Sequence, residues 1–173
     1  IELMRSLVDQ YRTGVEQLLV QKTVPGWSFV EAEIEWADAI ERAWSPISHL
    51  NAVADEPNLR EVYNEGLNLL TSHQTWRSQH RGIYQAYQGL SSSESFEQLS
   101  PQQQRIINLE LRDFHLAGVD LDDAARAEYR DIVLRLSKLG AQFQENVLDA
   151  TNAWSQHFED EKTLAGLPAA EMR

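Results

Sequence analysis

From residue 4 to residue 154 the apolar side chains recur at steps of three and four, and no stretch sustains the alternation of a strand. That is the period of an α-helix, so the chain is committed to packed helices. The pattern is clearest over Ala125, Tyr129, Ile132, Leu136, Leu139, Phe143, Val147, Ala150 and Trp154, a seam of the kind that packs against another helix. Met4, Leu7, Val8, Tyr11, Val15, Leu18 and Leu19 form a similar stripe at the other end, closed by Pro25-Gly26. Gly and Pro number only 8 and 5 in 173 residues, too few for a turn-rich β sandwich. The expected fold is all-α: an elongated bundle of about five main helices, forming a single domain over residues 1–173.

The punctuation between helices is local. Ser28 with Glu31 three residues later reads as a capping box opening a second helix, with Ile34, Ala37, Ile40, Trp44, Ile47 and Leu50 on one face. Pro46 lies inside it and predicts a kink or a restart, with Ser45 as the cap of the second segment. After a break at Asp55-Glu56-Pro57-Asn58, a third helix runs to Leu90 with a stripe from Leu59 and Val62 through Leu70, His73, Trp76 and Ile83 to Tyr87. Ser91 to Ser95 is a polar loop, and Ser100, Pro101 and Gln103 form a second capping box. The fourth helix carries Ile106, Ile107, Leu111 and Phe114, and Gly118 ends it in a left-handed conformation. The third and fifth helices, each roughly 33 residues, would be about 50 Å long if straight.

Charge and composition exclude several functions. Fifteen Lys and Arg stand against 27 Asp and Glu, giving a net charge of −12 with the cations scattered. Nucleic acid and anionic membrane surfaces need clustered cations, so neither is an expected partner. No apolar run approaches the roughly 20 residues of a membrane span, and the charged, amphipathic first helix is no signal peptide. The absence of cysteine removes thiol catalysis, disulfides and thiolate zinc sites, and fits a reducing cytoplasm. The chain opens at Ile1, and Leu167-Pro168-Ala169-Ala170-Glu171 reads as the first turn of another helix, so a piece of a longer protein is expected.

Catalytic signatures are missing. No two of the five His are four residues apart, as a helical metalloprotease site requires. His73 and His80 are seven apart on one face, and hydrogen bonding is the ordinary role for such buried rings. A di-iron bundle needs Glu three residues before His; the residues before His49, His73, His80, His115 and His157 are Pro46, Leu70, Arg77, Arg112 and Trp154. Glu31, Glu33, Glu35, Asp38 and Glu41 read mainly as a solvated face. There is no nucleophile elbow and no nucleotide-binding glycine loop. Trp44, Trp76, Tyr87, Tyr129 and Trp154 fall on buried stripes, whereas Trp27, in a turn, is the tryptophan expected to be exposed. Asn146 and Asp149 flank the last seam as capping or bridging residues. No catalytic, cofactor-binding or metal residue is assigned.

Four segments carry a resemblance. They are Ser45-Pro46-Ile47-Ser48-His49-Leu50-Asn51, Arg112-Asp113-Phe114-His115-Leu116-Ala117-Gly118, Leu136-Ser137-Lys138-Leu139-Gly140 running through Phe143 to Asn146-Val147-Leu148-Asp149-Ala150-Thr151, and Leu164-Ala165-Gly166-Leu167-Pro168. In content and order they resemble the N-terminal part of bacterial thimet-oligopeptidase-like zinc metallopeptidases. The resemblance implies an almost all-helical enzyme whose two halves flank a channel for short peptides. It also implies a zinc site with His-Glu-x-x-His in the C-terminal half, and nothing of that motif is present in this chain. The implied partners are that catalytic half and short peptides, with zinc only in the parent enzyme. On this reading the chain alone is inactive, exposes apolar surface on at least one helix face, and can self-associate. The alternative is a free-standing helical interaction module.

Overall fold

The periodic segments form six α-helices among the described residues of the computed structural model, which describes residues 1–21, 26–54 and 56–168. They are α1 (Glu2–Leu19), α2 (Trp27–Val53), α3 (Pro57–Ser78), α4 (Arg81–Ser91), α5 (Pro101–Leu116) and α6 (Asp123–Ala153). Short 3-10 turns cover Phe96–Gln98 and Glu161–Leu164, and no strand occurs among the described residues. The fold is all-α. The chain forms two compact units, residues 1–139 and 140–173.

The first unit holds the main core. Val8, Tyr11 and Val15 of α1 meet Phe29, Val30 and Ile40 of α2, Ile83, Tyr87 and Leu90 of α4, and Ile107 and Phe114 of α5. Gly14 lets α1 approach α2 closely, since a Cβ there would lie 2.4 Å from the Trp36 ring. At α5 both expected end signals operate. The Ser100 hydroxyl accepts from the Gln103 amide and the Gln103 side chain accepts from the Ser100 amide. At the other end Gly118 has φ +80°, its N–H reaches His115 O at 3.0 Å, and the Val119 N–H reaches Phe114 O at 3.1 Å. Those two bonds make a Schellman motif and satisfy carbonyls that the helix leaves open.

Other expectations change. The third helix does not run unbroken to Leu90: α3 stops at Ser78 and α4 starts at Arg81. His80 makes the break, because its Nδ1 accepts from the Ile83 amide at 3.2 Å and its Nε2 lies 3.0 Å from Glu16. Gln79, buried at the joint, donates its side-chain amide to Ala117 O at 3.2 Å. The capping box at Ser28 is not formed; Gly26 is the N-cap of α2, and Glu31 instead accepts from Trp27 Nε1 at 2.8 Å. Helix α2 continues through Pro46, so Ser45 lies inside a helix and caps nothing. Its buried face is Phe29, Val30, Glu33 and Ile40, while Ile34 and Leu50 are exposed. Pro25 and Asp55, and the expected helical turn from residue 169 onward, lie outside the described residues.

The largest departure concerns α6. Much of its expected seam is open to solvent: Ile132, Leu136 and Leu139 in the first unit are exposed, Leu136 by 63%, whereas Ala125 and Tyr129 at its start are half-buried. The apolar stripes of α1, α2, α4 and α5 already face one another. An exposed apolar helix face was expected of a domain parted from its neighbour. The second unit contains the end of α6, where Phe143 and Val147 are exposed, and a 3-10 turn capped by Asp160 through the Lys162 amide at 3.0 Å. No helix among the described residues is long and apolar enough to cross a membrane.

Candidate functional site

The most organised polar cluster lies inside the first unit, where α1, α2, α3 and α5 meet. Tyr11 donates its hydroxyl to Glu33, a carboxylate that is only 2% exposed. Arg77 donates from Nε to the Tyr11 oxygen at 3.0 Å and to Glu33 Oε1 at 3.2 Å, and from Nη1 to Glu110 Oε2 at 2.8 Å. The guanidinium also stands over the Phe114 ring at 5.3 Å. Burial opposes the Arg77 charge, but Glu33, then Tyr11 and Glu110, hold its pKa well above the ordinary value. Burial, followed by the Glu33 charge, pushes the Tyr11 and Tyr87 phenols up. A cavity of about 590 Å³ borders this cluster, with Glu33, His73, Arg77 and Glu110 in its wall.

This arrangement is a clasp. Arg77 engages both carboxylates, and the Tyr11 hydroxyl completes the set. Glu33 therefore departs from the solvated face expected of its neighbours, whereas Glu31, Glu35, Asp38 and Glu41 do lie exposed. The sequence carried a signal for it: Glu33 follows Phe29 and Val30 by four and three residues and precedes Ile40 by seven, on the buried stripe.

The histidines are dispersed. His73 stacks on Trp76 at 5.9 Å and meets Tyr11 edge-on at 4.7 Å. Burial, then the charges of Arg12 and Arg77, bring its pKa down to about 4, so it is neutral at pH 7. Its Nδ1 is buried with no hydrogen-bond partner. His80 caps α4, and His115 contacts Asp120 through Nδ1 and lies 3.2 Å from the Tyr84 hydroxyl through Nε2. His49 and His157 are exposed. Among the described residues no three His, Asp or Glu side chains converge as a metal ion requires, so the donors here do not fit zinc.

The aromatic expectations divide. Trp76 and Tyr87 join the core, and Trp44 stacks on Tyr63 at 5.0 Å. Trp27 is half-buried against that core, because its indole lies over α2 and bonds Glu31. Trp154 is the exposed tryptophan, at 71%, since α6 ends at Ala153. Asn146 and Asp149 sit exposed on α6. A shallow apolar groove of about 480 Å³ runs between α3 and α6, walled by Leu70, Val133 and Leu136. Beside it the Thr71 and Ser137 hydroxyls meet at 3.0 Å.

Comparison with known proteins shows the family to which these helices belong. Residues 4–126 match the model of the neurolysin/thimet oligopeptidase N-terminal domain. Oligopeptidase A of Haemophilus influenzae is 41% identical over 170 residues, covering 98% of this chain and 25% of that protein. Oligopeptidase A of Escherichia coli is 38% identical over 166 residues, covering 95% of this chain and 24% of that protein. A probable cytosolic oligopeptidase A of Arabidopsis thaliana is 33% identical over 171 residues, 98% of this chain and 24% of that protein. The chain thus spans about a quarter of the length of these relatives. It belongs to the neurolysin/thimet oligopeptidase family, in the region of the N-terminal domain.

Proposed function

We propose that this chain is the non-catalytic N-terminal domain of a cytoplasmic, zinc-dependent oligopeptidase that degrades short peptides. On this reading residues 1–173 act as one domain and form a wall of the substrate channel, restricting peptides by shape. The zinc and its His-Glu-x-x-His helix belong to the catalytic half of the same polypeptide, which is the principal partner of this chain. The observation that carries the reading is similarity to Oligopeptidase A along 98% of the chain while only 25% of that relative is spanned.

The test is to read the gene beyond Arg173 and assay both products on a quenched fluorescent peptide. The expected result is a frame that continues into His-Glu-x-x-His, chelator-sensitive cleavage by the long product, and none by residues 1–173. A stop codon at once, or chelator-sensitive cleavage by the short chain, overturns it. The exposed apolar face of α6 favours one other reading, a free-standing helical interaction module. An immediate stop codon together with a specific partner on that face would select it.

A further inference from the structure

The sequence scatters its cations, but the fold gathers three of them. Arg81, at the start of α4, and Arg126 and Arg130, in the first turns of α6, line one cavity of about 500 Å³ with Trp76. Within a chain of net charge −12 this is a local inversion of sign. Arg81 donates from Nη2 to Leu121 O at 3.2 Å, and neither it nor Arg130 forms an ion pair with a described residue. Arg126 reaches Gln79 O at 3.4 Å and bonds Asp123, yet its Nε is buried without a partner. Hydrogen bonding from Arg126 lowers the Asp123 pKa, so that carboxylate is ionised and already committed. Three guanidinium groups thus face one carboxylate.

The backbone adds to this field. First-turn amides of a helix have no acceptor within it, and the N-terminus of α4 opens beside the cavity through Arg81 and Gly82. His80 satisfies the Ile83 amide and turns its other nitrogen to Glu16, so the imidazole brings no free negative partner. Converging guanidinium groups make charge-assisted hydrogen bonds to an oxyanion, and three of them line this cavity. The Trp76 ring supplies an apolar wall that suits the carbon chain bearing a carboxylate better than a bare ion.

We propose that the cavity between α4 and α6 is an oxyanion subsite, formed by Arg81, Arg126 and Arg130, that takes a carboxylate group of a peptide. The site lies apart from the Glu33–Arg77 clasp and is assigned from this geometry; the peptide as the source of the carboxylate rests on the oligopeptidase reading. A free phosphate shares the chemistry, and the experiment separates the two.

The full-length protein is titrated with inorganic phosphate, followed by 31P line broadening, and with succinate by calorimetry. Its KM is then compared for two quenched peptides that differ only as Glu or Gln at one position, scanned along the peptide. The variants are Arg130→Gln and Arg130→Glu, chosen because Arg130 is exposed and forms no ion pair with a described residue. The expected result is that both anions bind and that both variants lose them. KM should be about tenfold lower for Glu than for Gln at one position, a ratio that falls to about one in the variants. Phosphate binding lost in the variants, with a Glu-to-Gln ratio of one throughout, overturns the peptide assignment in favour of a free anion. Failure of both anions to bind overturns the subsite, whether or not peptides are cleaved. If no peptide is cleaved at all, the oligopeptidase reading and the peptide assignment fall together, and the anion titration still decides the cavity.

Discussion

Glu33 is a carboxylate that the fold has withdrawn from water and given two donors, the Tyr11 hydroxyl and the Arg77 guanidinium. Breaking a buried pair strands the remaining charge, which costs more than the pair itself contributes. Glu33→Gln leaves Arg77 with Glu110 alone and should lower stability by about 3 kcal/mol at pH 7. Urea unfolding followed by circular dichroism checks this; a midpoint unchanged from the parent would show that the clasp is not under load. His73 gives a second test, in pH. Folded, its pKa is about 4; unfolded, it returns to the ordinary 6.5. Between those values the unfolded chain holds the extra proton, so stability falls as the pH drops from 6.5 to 4 and is insensitive to this group above 6.5. The full loss amounts to about 3 kcal/mol, and His73→Phe should flatten that acid arm in urea midpoints taken at pH 7, 5.5 and 4.5. The sequence placed His73 on a buried stripe correctly, because helical period reports burial. It did not disclose the clasp, because Tyr11, Glu33, Arg77 and Glu110 come from four helices and only their packing brings them together.

At the scale of elements, local signals were legible and conditional ones were not. The Ser100 box and the Gly118 terminus need only residues within one turn, and both formed as read. Ser100→Ala removes the acceptor for the Gln103 amide and should cost about 1 kcal/mol. Gly118→Ala forces a side chain into φ +80°, with its Cβ only 2.5 Å from Leu121 Cδ1, and should cost about 1–2 kcal/mol or more. The two lie at opposite ends of α5, so thermal unfolding of the double variant should show their losses adding; clear non-additivity would mean that α5 does not unfold as a unit with the core. The break at His80 was hidden because it depends on Glu16 of α1, 64 residues away, as well as on Ile83. The box at Ser28 failed for a converse reason: Trp27 enters the helix and takes the Glu31 side chain for its indole N–H. At Pro46 the sequence left a kink or a restart open, and α2 continues without a restart, since a proline that costs a helix one hydrogen bond can be carried by packing elsewhere.

For the whole molecule, α6 poses the sharpest question, because its sequence was written for burial and its seam is bare. Ile132, Leu136 and Leu139 repeat at the spacing of a packed face, yet each is at least half exposed. The period identified an apolar face; it could not tell what, if anything, covers it, because periodicity records a face and not its occupant. The proposed occupant is the remainder of the polypeptide, of which the relatives have about three times as much again as this chain spans. Leu136→Lys separates that from an idle surface. In residues 1–173 alone the change removes an exposed apolar group, so thermal stability should hold and self-association, read by sedimentation velocity, should weaken. In the full-length protein the same lysine would be pressed into an apolar interface, losing the burial of a leucine and desolvating a charge, at a cost of about 2–3 kcal/mol or more. The expected pattern is therefore a lowered unfolding temperature in the long chain and none in the short one. Equal tolerance in both would mean that the face stays open in the intact protein, and would turn the search toward a separate partner.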